Sequence, residues 1–185
     1  MPDTVKKIAN RLGLNLKFYL YTEAGTPATS ESVTIDFANE VSIDLSSELT
    51  WATGGQKHKN LIAFKDPSEG TLKISTQIVT MQMLQLASGN AVDATATGTV
   101  SFKDDETAYM PKYYKVVGET LWVDETGTSQ TETITVYKAT VKPNYNVTYN
   151  GSGDPLSLDV EFDFVADKDG KVLDIGRAAS AAVGG

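Results

Sequence analysis

The twenty residues GTLKISTQIVTMQMLQLASG, Gly70 to Gly89, change periodicity halfway, and that change sets the reading of the fold. Leu72, Ile74 and Thr76 alternate with Lys73, Ser75 and Gln77, the period of two that a half-buried strand requires. Beyond Ile78 the apolar positions are Val79, Met83, Leu86 and Ala87, which at about 100° per residue fall within one arc of about 100°. The stretch therefore reads as a strand feeding one helix, residues 76–88, with Ser75 or Thr76 as its N-cap. Gly89 supplies the left-handed residue after its end. The opposite helix face carries Ile78, Met81, Gln82 and Gln85, and no charge occurs from Gln77 to Gly89. Two explanations stand: the helix lies between the sheet and a loop, or another subunit covers its Met and Gln face.

Working outward, the strand pattern dominates. Leu14, Leu16, Phe18 and Leu20 alternate with Asn15, Lys17, Tyr19 and Tyr21. SVTIDFANEVSIDLS places Val33, Ile35 and Phe37 ahead of Val41, Ile43 and Leu45, a spacing that suits a hairpin across Asn39 and Glu40. TGTVSFK, KYYKVVGETLWVD, TETITVYKATVKPNY and PLSLDVEFDFVAD follow, the last with Leu156, Leu158, Val160, Phe162 and Phe164 on one face. From Ser46 to Glu69 the alternation fails, and this 46–69 segment reads as a long loop, a feature that in compact domains often serves function. DKDGKV, Asp167 to Val172, reads as a turn with Gly170 at positive φ. The expectation is a single domain over 1–185, mainly β, a sandwich or barrel of two packed sheets with one flanking helix. Residues 1–12 and 176–185 read as mobile terminal arms.

Composition narrows the function classes. With 41% hydrophobic and 22% charged residues the chain has the make-up of a folded globular protein. No cysteine is present, so disulfides and thiolate metal sites are excluded. The N-terminus lacks the apolar run of a signal peptide, and no stretch approaches the roughly 20 apolar residues of a membrane span. A net charge of −8 with scattered lysines disfavours tight nucleic-acid binding while allowing DNA to pass nearby.

Catalytic constellations are thin. The one histidine, His58, lies between Lys57 and Lys59, whose ammonium groups disfavour a cation, and no second His or Cys completes a site or a triad. DKDG resembles the opening of a calcium loop, but position twelve would be Ala178 rather than a bidentate Glu. Asp159, Glu161 and Asp163 share one side of one strand, where a solvated or lumen-facing surface explains them better than a general acid and base pair. No enzyme activity and no cofactor or metal is expected.

The order of these parts resembles the tail tube protein, or major tail protein, of long-tailed bacteriophages. The resemblance rests on SVTIDFANEVSIDLS, the connection Ser46 to Glu69, GTLKISTQIVTMQMLQLASG, and the late pair ATVKPNYNVTYNGSGDPLSLDVEFDFVAD. It implies a virion protein, made in the host bacterial cytoplasm, whose hexameric rings stack into the tail tube through which the genome is ejected. The implied partners are further copies of the chain, a tape measure protein inside, and tail terminator and distal tail proteins at the ends; DNA passes without specific binding and no membrane is involved. On that resemblance Trp51, Gln56, Lys57, His58 and Lys59 are candidates for ring stacking, Ile78, Met81, Gln82 and Gln85 for lateral contact, and Asp159, Glu161 and Asp163 for the lumen. The competing reading is a β-sandwich binding module that recognises carbohydrate or protein on an aromatic platform including Trp51 and Trp122.

Overall fold

A computed structural model describes residues 8–10, 14–54, 59–77, 79–89, 98–100, 111–124, 129–142 and 157–179. Its strands in chain order are β1 (Ile8–Asn10), β2 (Leu14–Leu20), β3 (Val33–Ala38), β4 (Glu40–Ser46), β5 (Leu49–Gly54), β6 (Lys59–Lys65) and β7 (Glu69–Thr76). After the helix α1 (Met81–Ala87) come β8 (Tyr113–Asp124), β9 (Ser129–Lys142), β10 (Leu158–Val165) and β11 (Leu173–Ala179). Nine strands form one antiparallel sheet in the order β3-β2-β8-β9-β10-β7-β4, with β1 added to β8 and β11 to β9; β5 and β6 make a separate two-stranded sheet. The expectation of a mainly β fold with one helix holds.

The two layers are made by one sheet that doubles over, not by two separate sheets. In a flat sheet β2 and β10 would lie three steps of about 4.8 Å apart, roughly 14 Å. Instead the rings of Phe18 on β2 and Phe162 on β10 stack with centroids 5.4 Å apart, so the two halves face each other across the core. Leu16, Ile35, Leu72, Ile74, Tyr114 and Phe164 complete the buried interior, with Met83, Leu86 and Ala87 of α1 over it. Each such large apolar side chain contributes about 1.5–3 kcal/mol relative to exposure.

Three local readings are corrected. The 33–46 hairpin does not form: β3 pairs with β2 while β4 pairs with β7, at opposite ends of the sheet path. Asn39 alone separates them, too short for a two-residue hairpin turn, and its N–H instead donates to the Ser75 carbonyl at 2.9 Å; the chain turns a corner between layers there. The expected loop over 46–69 holds the β5–β6 hairpin. The helix starts at Met81 rather than 76, because Thr76 stays in β7 opposite Leu158 and Thr80 provides the cap, its Oγ1 accepting from the Met83 N–H at 3.3 Å. Gly89 takes φ 76°, and Gly170 φ 77°, as expected. Near the two ends, Ile8–Asn10 pairs with β8, and β11 reaches Ala179 along β9; residues 1–7, 11–13 and 180–185 lie outside the described residues.

Gly70 shows how tightly β7 is held. A Cβ there would lie 2.2 Å from the Phe164 ring and 2.6 Å from the Asp44 carbonyl oxygen, so the close approach of the Phe164 ring to the backbone requires glycine.

Candidate functional site

Three surfaces stand out among the described residues once the core is accounted for. Among the described residues no cluster of three His, Cys, Asp or Glu is arranged to hold a metal ion. Among the described residues no helix is long and apolar enough to cross a membrane.

The first surface is the outward side of β10, β7 and β4. Alternation along β10 buries Leu158, Val160, Phe162 and Phe164 and leaves Asp159, Glu161 and Asp163 on the other side. Register sets Glu161 opposite both Lys142 of β9 and Lys73 of β7. Lys142 Nζ lies 2.7 Å from Glu161 Oε1 and 2.8 Å from Asp163 Oδ1, and Lys73 Nζ is 3.7 Å from Glu161 Oε2. Hydrogen bonding from Lys142 holds the Glu161 carboxyl below its ordinary range, while Asp163 and then Glu161 hold the Lys142 ammonium above its own. Two of the three acidic residues are thus paired, and these exposed pairs add little to stability. Asp159 instead lies opposite Ser75, which on its other side faces Glu40 of β4. These groups line a shallow groove with Ser42, Lys73 and Glu161.

The second surface is the outward side of β2, β8 and β9. Here lysines sit on tyrosine rings: Lys138 Nζ is 4.6 Å from the Tyr113 centroid, and Lys115 and Lys171 approach Tyr137 at 5.6 Å and 5.2 Å. The Tyr137 hydroxyl donates to Asp174 Oδ2 at 2.5 Å, which raises its pKa, and the Tyr21 hydroxyl donates to the Tyr137 carbonyl at 2.9 Å. The lysines over these rings have no signal in the sequence, because the pairing depends on the irregular register between Tyr114 and Val116. Trp122 is likewise covered, with the Arg177 guanidinium 4.8 Å from its ring centroid and Arg177 paired to the buried Glu132. The rings of Tyr113, Tyr137 and Trp122 are thus each approached by a cation of the same molecule.

The third surface is the β5–β6 hairpin. Leu49 is 57% exposed and Phe64 55%, and Leu45 at the end of β4 is 47% exposed. Trp51 lies on β5 opposite Ala63, and Lys59 on β6 opposite Gly54; Gln56, Lys57 and His58 lie outside the described residues, as does Ile78. On α1, Met81 and Gln82 are half-buried and Gln85 is buried; Gln82 and Gln85 are each engaged within the protein, so intramolecular packing accounts for part of that face. The Asp167 carboxylate accepts from the backbone N–H groups of Asp169 and Lys171 at 2.9 and 2.8 Å, which explains DKDG as a turn.

No protein-family model and no curated protein sequence matches the chain. Two solved structures overlap it over most of its length. One is a chain in the cryo-EM structure of the anti-feeding prophage (AFP) baseplate, 6-fold symmetrised, at 14% identity and TM-score 0.46, covering 92% of this chain and 95% of that one. The other is the crystal structure of an Hcp protein, at 13% identity and TM-score 0.36, covering 90% and 98%.

Proposed function

We propose that this chain is a structural subunit of a phage tail, which polymerises as stacked hexameric rings into the tail tube that conducts DNA during ejection. The observation that carries the reading is the β5–β6 hairpin. An isolated two-stranded hairpin is marginal in water, yet this one keeps Leu49 and Phe64 more than half exposed while the main sheet buries nearly every large apolar residue facing its core. A partner surface explains what the monomer does not, and strand edges at β3, β4 and β11 add further open pairing positions.

Under this reading the hairpin with Trp51 and Lys59, and the adjoining Gln56, Lys57 and His58, mediates ring stacking. Ile78, Met81 and Gln82 belong to lateral contacts. The tape measure, tail terminator and distal tail proteins are the further partners, and the chain has no catalytic role. The acidic face of β10 has two placements, along the bore or against a neighbouring copy.

Negative-stain electron microscopy across protein concentration and salt tests the proposal. Hollow rings or tubes of uniform width are the expected result. Isolated particles at every concentration, with seeds of tail-tip protein present, would overturn it.

A further inference from the structure

The two outer sides of the doubled sheet differ in the charges they leave without an ion pair among the described residues: lysines on one, which also carries Glu119 opposite Asn15 and Asp174 on Tyr137, and carboxylates on the other. On the β2, β8 and β9 side, Lys17 lies opposite Thr34 and Val117, Lys115 opposite Tyr19, and Lys138 opposite Val165. None of the three forms an ion pair with a carboxylate among the described residues, and Lys115 and Lys138 rest on tyrosine rings instead. On the other side, Glu40 and Asp159 flank Ser75, and Asp44 lies opposite Thr71. None of these three carboxylates is paired with a described lysine or arginine. The lysines that do find carboxylates, Lys73 and Lys142, sit on the acidic half and at its seam. Because Phe18 and Phe162 stack across the core, the two sides point away from each other, and one molecule cannot satisfy its own excess.

We propose that the lysine and tyrosine side of one copy docks on the acidic side, Glu40, Asp44 and Asp159, of the next copy. The contact joins two different surfaces of the same chain, so it propagates into a ring or a filament rather than stopping at a dimer. Tyrosines suit such a surface, since they supply rigid contact area, and the lysine ammoniums above them carry the steering charge. Duplex DNA is the less suitable occupant: the rings of Tyr113 and Tyr137 are already covered by lysines, and the whole chain carries −8. The inference rests on the self-assembly reading and places Asp159 at a copy contact instead of the bore.

The test uses two charge-reversed full-length chains, one with Lys17→Glu, Lys115→Glu and Lys138→Glu, the other with Glu40→Lys, Asp44→Lys and Asp159→Lys. Circular dichroism confirms folding, and sedimentation velocity reads association. Parent chains are expected to associate less as salt rises from 0.1 to 1 M, where the screening length falls from about 10 Å to about 3 Å. Each variant alone is expected to associate more than roughly 100-fold more weakly, since like charges brought together cost several kcal/mol. An equimolar mixture is expected to recover assembly with the two variants alternating. Parent-like association of either variant alone, or a mixture that stays apart, overturns this pairing while leaving self-assembly standing. A parent that never associates overturns both. Loss of duplex-DNA binding in the lysine variant, with assembly unchanged, would reassign the surface to a polyanion.

Discussion

β7 and β6 lie close in sequence, and both carry apolar residues, yet they meet opposite fates. β7 buries Leu72 and Ile74 to 1% exposure between β4 and β10, whereas among the described residues β6 pairs with β5 alone and leaves Phe64 at 55%. The difference is one of neighbours rather than of sequence hydrophobicity. A strand inside the doubled sheet receives a ladder on each side and a second layer above it; among the described residues the hairpin receives one ladder. The sheet therefore holds the fold, and the hairpin leaves the apolar surface of Leu49 and Phe64 exposed, the surface the proposed assembly would cover.

The sharpest way to break that contrast is Phe162→Ala, which removes the ring stacked on Phe18. A loss of about 3–5 kcal/mol in unfolding free energy by urea denaturation is expected, and a loss below 1 kcal/mol would show that the two layers are not packed as described. Gly70→Ala comes next, at about 1–3 kcal/mol, because its methyl group must displace the Phe164 ring or the β4 backbone.

Tyr114 gives a pH-resolved version of the same argument. Its hydroxyl is buried with no partner among the described residues, and burial pushes its pKa up to about 12. The unfolded chain releases this proton first, so the contribution is complete below pH 10 and is lost as pH rises towards about 12. The slope is about 1.4 kcal/mol per pH unit. Comparing the parent with Tyr114→Phe isolates it from the other tyrosines, and the variant should match or exceed the parent's stability at pH 7, since only an unsatisfied hydroxyl is lost.

The smallest change in stability should come from the hairpin. Leu49→Ser with Phe64→Ser should shift unfolding by no more than about 0.5 kcal/mol, while rings or tubes fail to form by electron microscopy. A large stability loss with intact assembly would reverse the division of labour between sheet and hairpin.

How much was legible in advance follows the range of the interactions involved. Alternation located β2, β3, β4, β7, β8, β9 and β10, because a strand with one buried face writes its period into the chain. The hairpin at 49–65 was missed: Leu49 and Phe64, near its open end, are both exposed, so their apolar character follows no buried face there. β11 was missed for a related reason: Asp174, Gly176 and Arg177 are poor strand signals, Ile175 is 61% exposed, and what places the strand is register with β9 and the Arg177 contact to Glu132 and Trp122. Of the candidate site, the exposure of the acidic strand was visible, while its pairing with Lys142 and Lys73 was not.

By itself, then, the sequence determined the strand-rich class, the single helix after β7, the Gly89 and Gly170 turns and the acidic side of β10, all consequences of short-range periodicity and backbone preference. Only the tertiary structure decided that β3 and β4 part to opposite edges, that one sheet supplies both layers, and that Lys115 and Lys138 come to rest on tyrosine rings while Glu40 and Asp159 flank Ser75 on the other side. Those outcomes depend on which distant strands become neighbours, and residue alternation carries a strand's face without naming its partner.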